Sequence, residues 1–266
     1  MATVVPGFHR RGTISVSGVR QAIETPVARA DIRSWPLDPT IAHLIVLDVR
    51  MVPTPEQVEG WLNAAYRPSR DAPRPLTLRT GALYPAAAAA FTAAGFEVAD
   101  RLALLERPLR EAMPRRRATA SAPASLRRAR RRDLEALAAI DQSAFAPGWR
   151  NDARSLGAIA DATPRSLRRL ATIQGVAQRR PIGFAITGMA NATGYIQRLA
   201  VHPHGQRLGI GAQLVDDALG WLTRRGARRA LVNTGVDNAA AIELYEAASF
   251  EMLDQQLVVL EHRRTS

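Results

Sequence analysis

Apolar and polar positions follow two rhythms along this chain, and their order predicts an architecture. Residues 125–129 have the character of a short strand, and 133–143 carry Leu134, Leu137, Ala138 and Ile140 on one helical face. A second helix is expected over 151–160. Strands follow at 166–173 and 182–187, with Gly175 and the turn Arg179-Arg180-Pro181 between them, and a central strand covers 195–201. Beyond a polar loop, Leu208, Gly211, Leu214, Val215, Ala218, Leu219 and Leu222 keep the three-to-four spacing of a buried helical stripe. A strand at 228–232, a helix at 239–248 and a last strand at 257–260 complete the order β-α-α-β-β-β-α-β-α-β.

The loop in the middle of this pattern carries chemistry. The apolar strand stops at Val201-His202-Pro203, and Gln206-Arg207-Leu208-Gly209-Ile210-Gly211 leads straight into the amphipathic helix. Glycines at a helix mouth leave backbone N–H groups sterically open, and the helix dipole favours an anion there. The alternative role for Gly209 and Gly211 is close helix-to-sheet packing. Neither the G-x-G-x-x-G fingerprint nor a loop ending in Gly-Lys-Ser/Thr fits, and the chain has no lysine. Gln/Arg-x-x-Gly-x-Gly after a strand ending Leu199-Ala200-Val201 resembles the acyl-CoA pyrophosphate loop of the GNAT N-acetyltransferase superfamily. A second stretch, Asn233 to Phe250 with Asn238-Ala-Ala-Ala-Ile-Glu-Leu-Tyr245, is similar to the other signature of that superfamily.

The resemblance covers residues 124–266 and implies an α/β (α+β) fold with a mixed, mostly antiparallel sheet flanked by helices. The front half repeats it. At an offset of 154 residues, Thr80/Thr234, Gly81/Gly235, Phe91/Tyr245, Phe96/Phe250, Glu97/Glu251 and Asp100/Asp254 coincide. Residues 43–50 then correspond to the central strand and 55–66 to the helix after the loop. Between them stands Met51-Val52-Pro53-Thr54-Pro55, with no Gly-x-Gly and with prolines that remove donors a phosphate would need. The expected organisation is therefore a tandem: a degenerate GNAT-like copy over 1–110, an Ala/Pro/Arg linker over 111–124, and a complete copy over 125–266. The front copy either supports the back one or walls its acceptor cleft.

What the resemblance implies for the site follows residue by residue. Acetyl-CoA is the expected cofactor, held by main-chain groups at Leu199, Ala200 and Val201 and by the loop Gln206, Arg207, Leu208, Gly209, Ile210 and Gly211. A backbone N–H at 199–201 supplies the oxyanion donor. Tyr245 matches the family tyrosine that protonates the leaving thiolate, for which an ordinary phenol pKa of about 10 is suitable; a core aromatic is the alternative. Asn238 either touches the cofactor or caps the last helix. Tyr195, Gln197 and Asn233 stand where relatives carry a general base, and none is a good base near neutral pH, so they are expected to order water beside the acceptor. His202 and His204 flank the loop without carboxylate partners, and no metal is indicated. Ser249 replaces the family glycine after the tyrosine helix, at a cost of roughly 1 kcal/mol for a left-handed cap. The expected reaction is acetyl transfer to a primary amine, small or at a protein N-terminus, through a ternary complex. A non-catalytic acyl-CoA-binding regulator is the alternative.

Composition narrows the setting. The 266 residues exceed the usual single-domain size, no run of eighteen apolar residues predicts a membrane span, and the lack of cysteine excludes disulfides and thiolate chemistry. A cytoplasmic monomer or homodimer is expected. Net charge is +12, and between Arg107 and Arg132 ten arginines face one acid, Glu111. That belt lacks aromatics. It is either incidental charge or a weak contact for an acidic partner or RNA.

Overall fold

The structure, a computed structural model, describes residues 21–24, 29–35, 37–47, 52–67, 75–109, 124–174 and 179–264. The front half contains β1 (Gln21–Glu24), β2 (Arg29–Trp35), β3 (Asp38–Val46), α1 (Pro55–Ala65), β4 (Thr77–Thr80), α2 (Pro85–Ala93) and β5 (Glu97–Pro108). The back half contains β6 (Ser125–Arg128), α3 (Leu134–Ala144), α4 (Ala153–Asp161), β7 (Arg165–Gln174), β8 (Arg179–Ala190), β9 (Thr193–Val201), α5 (Ile210–Arg224), β10 (Arg229–Gly235), α6 (Ala239–Ala247), β11 (Glu251–Met252) and β12 (Leu257–Arg263). Most of the expected linker, 111–123, lies outside the described residues.

All the strands join one sheet in the order β1-β2-β3-β4-β12-β5-β10-β9-β8-β7-β6, with β11 pairing β5 off that path. Only β3–β4 and β9–β10 are parallel; the other pairs are antiparallel. The mixed, mostly antiparallel sheet of the expectation is what forms. The two halves are stitched by their strands. β5 leaves the front half and lies between β10 and β12, while β12, the end of the chain, lies between β4 and β5. Each half thus completes its sheet with a strand that follows or precedes the other half's elements.

The repeat is visible in three dimensions. Thr80 and Thr234 are both buried, as are Phe91 with Phe96 and Tyr245 with Phe250. The ring pairs meet edge-on at 5.2 Å in front and 5.6 Å behind. Gly95 has φ +86° and Ser249 φ +60°, so both copies end this helix with a left-handed residue, as the sequence predicted. One apolar cluster lies under α1 and α2, centred on Trp61, Phe91, Leu44 and Leu78. A second lies under α5 and α6, and a third under α3 and α4. Each fully buried side chain of Leu or Phe size contributes about 1.5–3 kcal/mol.

Two local expectations change. The turn placed at Arg179-Arg180-Pro181 belongs to β8, and the register shifts at Ala171/Thr172 where Thr172 faces Pro181. A bulge absorbs the donor that proline lacks, so the strand runs through it. Leu208, counted in the buried stripe, is 55% exposed. Left-handed backbone at Arg207 (φ +64°) and Gly209 (φ +78°) swings it out, and α5 begins only at Ile210.

Candidate active site

The site begins with two strands that part. β9 and β10 pair only at Thr193/Arg229, Gly194/Ala230 and Tyr195/Leu231. Beyond Tyr195, β9 keeps its antiparallel pairing with β8 alone. His202 N–H donates to the Ile182 carbonyl at 2.8 Å. Antiparallel pairs alternate, so the N–H and C=O of Leu199 and Val201 point away from β8 into the gap. The Gln206 amide reaches back to the Val201 carbonyl at 3.3 Å, on that side.

A bulge shapes the same strand. Ile186 pairs Arg198 and Thr187 pairs Ile196, so Gln197 is the extra residue. Gln197 and Arg198 therefore both face α3 and α4 instead of alternating. Gln197 Nε2 donates to the Ile159 carbonyl at 2.9 Å, which anchors it on α4. A Cβ on Gly188 would lie 2.4 Å from the Gln197 amide oxygen, so Gly188 makes room for that side chain.

Two glycines stand at the mouth of α5. Gly209 is the N-cap, with positive φ, so no side chain caps the first-turn donors. Gly211, in the first turn of α5, also packs closely: a Cβ there would sit 3.2 Å from the end of the Leu244 side chain on α6. Gln206, Arg207, Leu208 and Gly209 are exposed and Ile210 is buried. The His202 and His204 rings lie 4.9 Å apart beside this loop, tilted by 52°.

Tyr245 sits in the cluster under α5 and α6, 1% exposed. Burial pushes its hydroxyl far above the usual phenol range, and the Arg198 guanidinium pulls it partly back. The residue therefore keeps its proton at any physiological pH. Asn238 caps α6 through Ala241 N–H at 3.3 Å and donates to Thr234 Oγ1 at 3.0 Å. Capping thus occupies its side chain. Asn233 is buried on β10, and burial raises the pKa of the half-buried Tyr195.

Two arginines that sequence reading did not single out organise the opposite wall. Arg198 is 3% exposed and forms a two-point pair with buried Asp141 on α3, at 2.6 and 2.9 Å. Its Nη2 also donates to the Trp149 carbonyl at 2.8 Å, and its guanidinium lies 3.5 Å over Phe145. Arg79, from β4 of the front half, donates to Glu261 at 2.6 Å and to the Gly148 carbonyl at 2.7 Å. Its guanidinium lies 4.7 Å from the Trp35 ring and 4.9 Å from the Trp149 ring, two indoles that meet edge-on at 6.0 Å. One arginine from each half thus holds consecutive carbonyls of the α3–α4 turn. His43 completes the front side of this node, edge-on to Trp35 at 5.0 Å, with burial lowering its pKa to about 4. The sequence signal was present: Arg198 interrupts an apolar strand, and Asp141 lies beside the apolar face of α3.

Comparison with known proteins places this geometry. Residues 134–250 match the acetyltransferase (GNAT) family model. A mycothiol acetyltransferase from Geodermatophilus obscurus is 41% identical over 59 residues, which are 22% of this chain and 19% of that protein. The matched stretch therefore spans about a fifth of that relative. Among solved structures, a GCN5-related N-acetyltransferase from Kribbella flavida superposes with TM-score 0.61 at 16% identity, covering 92% of this chain and 90% of that one. A tandem GNAT protein from the clavulanic acid biosynthesis pathway superposes with TM-score 0.62 at 15% identity, covering 90% and 80%. Both likenesses extend over the front half as well as the back, so the tandem fold is shared. Among the described residues no helix is long and apolar enough to cross a membrane.

Proposed function

Residues 134–250 form a domain of the acetyltransferase (GNAT) family, and on that premise we propose that the protein is an acetyl-CoA-dependent N-acetyltransferase acting on a primary amine, a small molecule or a protein N-terminus. The observation that carries the reading is the parting of β9 and β10 directly beside the glycine-capped start of α5. The division we propose is 1–110 for the degenerate front copy, 111–124 for the linker and 125–266 for the catalytic copy.

The residues present fit a pyrophosphate-bearing acyl donor. Gly209 leaves the α5 donors uncapped, and Arg207 stands exposed beside them. When bound, the cofactor supplies an activated acyl thioester. Leu199 and Val201 offer N–H groups in the gap, where a fixed donor stabilises charge developing on the acyl oxygen. Transfer forms a C–N bond and breaks the C–S bond. We assign the proton for the departing sulfur to Tyr245, which burial keeps protonated but also makes a weaker acid than the free phenol expected from the sequence. The amine's own proton has no carboxylate to take it at Tyr195, Gln197 or Asn233, and we assign that step to water held near Tyr195 and Asn233.

Calorimetric titration with acetyl-CoA, followed by a thiol-release assay over an amine panel, tests this. Saturable binding with turnover on at least one amine is the expected result; no binding at millimolar acetyl-CoA would overturn it. The absence of a carboxylate base at those positions favours the second reading, an acyl-CoA-binding regulator. Tight binding with no thiol release on any acceptor would establish that reading instead.

A further inference from the structure

The described arginines of the belt noted in the sequence divide between two places. Arg107 lies on β5, inside the sheet, and its guanidinium is spent on the Ala248 carbonyl. Among the other described members, Arg127, Arg128, Arg130 and Arg132 converge on one place. A cleft of about 700 Å³ at the β6 edge is lined by Arg127, Arg128, Ala129, Arg130, Arg132 and Arg168. Arg168 comes from β7, so the cleft joins residues the sequence keeps forty positions apart.

One acid, Asp133, answers the charge of this cleft in part. Arg127 pairs with Asp133 at 2.7 and 2.8 Å, and the same carboxylate accepts the Arg130 N–H at 2.7 Å. Those bonds hold Asp133 far below the usual carboxylate range, so it is committed to tying the end of β6 to the start of α3. Arg128, Arg130, Arg132 and Arg168 have no ion pair among the described residues. Several arginines elsewhere on the sheet are matched with acids, Arg33 with Asp31, Arg79 with Glu261, Arg169 with Asp217 and Arg229 with Glu106, whereas Arg101, Arg165 and Arg180 stand singly among the described residues and do not gather into a cleft. Charged residues do protect an edge strand from pairing. That accounts for Arg127 and Arg128 on β6, but not for Arg132 and Arg168, which lie off it.

We infer that this cleft binds the phosphodiester backbone of a nucleic acid without reading its sequence. Guanidinium groups match phosphate oxygens two at a time, and several gathered together gain by releasing the counterions of a polyanion. No aromatic side chain lines the cleft, so stacking on bases is not part of the mode. Arg115, Arg116 and Arg117 precede the cleft in sequence and lie outside the described residues. The cleft stands on the β6 edge, away from β9 and β10, and the inference does not depend on acyl transfer.

The test is fluorescence anisotropy on the full chain with labelled 15-nucleotide oligo-U RNA and oligo-dT DNA across a salt series. Single strands contacted at about four phosphates give a log–log salt slope of roughly −3 and micromolar affinity at low salt. The variant R128Q/R130Q/R132Q/R168Q is expected to lose at least about tenfold in affinity and most of that slope. A control with equal charge removed from exposed arginines elsewhere, R101Q/R224Q/R228Q/R264Q, is expected to lose less than about twofold. Circular dichroism melts of both variants report that they remain folded. Comparable binding of RNA and DNA supports backbone recognition. Equal losses in the two variants, no binding at low salt, tighter binding to a polyglutamate peptide, or a strong preference between U and mixed-sequence oligomers would each overturn it.

Discussion

Two helices occupy equivalent places in the two halves, and they begin in opposite ways. In front, α1 starts at Pro55 behind Thr54, whose hydroxyl accepts from Gln57 N–H while the Gln57 side chain accepts from Thr54 N–H at 3.0 Å. Behind, α5 starts at Ile210 after Gly209, which has no side chain to offer. The first helix satisfies its own donors; the second leaves them for something else. The strands before the helices differ in the same sense. β3 and β4 stay paired from Ile41/Thr77 through Leu44/Thr80, and Gly81 N–H closes onto the Leu44 carbonyl at 3.1 Å. β9 and β10 separate after Tyr195/Leu231. By the offset of 154, Leu231 is the partner of Thr77, so the back strands part where the front strands have only begun to pair. The two copies thus differ in whether one pair of strands stays zipped and one helix carries a side-chain cap, while both keep their cores.

The comparison can be pressed hardest at the two arginines that hold the α3–α4 turn. Arg198→Met leaves Asp141 buried without its partner and should cost about 3 to 5 kcal/mol. The melting temperature and denaturant midpoint report this. Arg79→Met leaves the less deeply buried Glu261 with only Arg263 at 3.8 Å and should cost about 2 kcal/mol, with faster amide exchange at 148–150. Equal, negligible losses would mean that neither arginine fastens the turn.

Next in size is the helix cap. Gly209→Val forces a β-branched residue to φ +78° and fills the approach to the α5 donors. Affinity for acetyl-CoA should fall at least about 100-fold, equivalent to about 2.7 kcal/mol. Thr54→Val, the matching change in front, should cost about 1 kcal/mol of stability and leave that affinity unchanged. Loss of acetyl-CoA binding in Thr54→Val would place a working cradle in the front half and dissolve the contrast.

These contrasts were legible in the sequence to different depths. Periodicity and the paired signatures gave the element order of the back half, and the repeat located α1, α2 and their buried faces. The absence of Gly-x-Gly in front was readable, because proline and glycine impose their backbone consequences locally. The exchange of β5 and β12 between halves was not, since strand neighbours across 150 residues leave no local trace. Nor was the bulge at Gln197, which places two consecutive side chains on one face and breaks the alternation a strand is read by. Arg198 and Asp141 went unnoticed for the same reason: their meaning lies in pairing, and each alone reads as an interruption. The closeness of Gly211 to Leu244 was not legible either, since it depends on a residue of another helix.

The buried aromatics sharpen the comparison at smaller scale. Phe91 and Tyr245 fill equivalent positions, and only the back copy carries a hydroxyl. Tyr245→Phe should reduce turnover about 100-fold, the low end for loss of a positioned proton donor, with acetyl-CoA affinity held within about twofold. Steady-state thiol release together with calorimetry separates the two quantities. Full activity in Tyr245→Phe would make the hydroxyl a remnant and Tyr245 merely the counterpart of Phe91.

The smallest effect is the most symmetric. Gly95 and Ser249 both end their helices at positive φ, and only glycine does so without steric penalty. Ser249→Gly should stabilise the protein by about 1 kcal/mol, and Gly95→Ser should destabilise it by a similar amount, so the double exchange returns close to the starting stability. The two sites lie in separate halves, and their increments should add if each half bears its own strain. Chemical denaturation of the two single variants and the double variant measures this directly. A double exchange that departs from the sum by more than about 0.5 kcal/mol would reveal that β5, which Gly95 introduces and which β11 beyond Ser249 pairs with, transmits strain from one cap to the other.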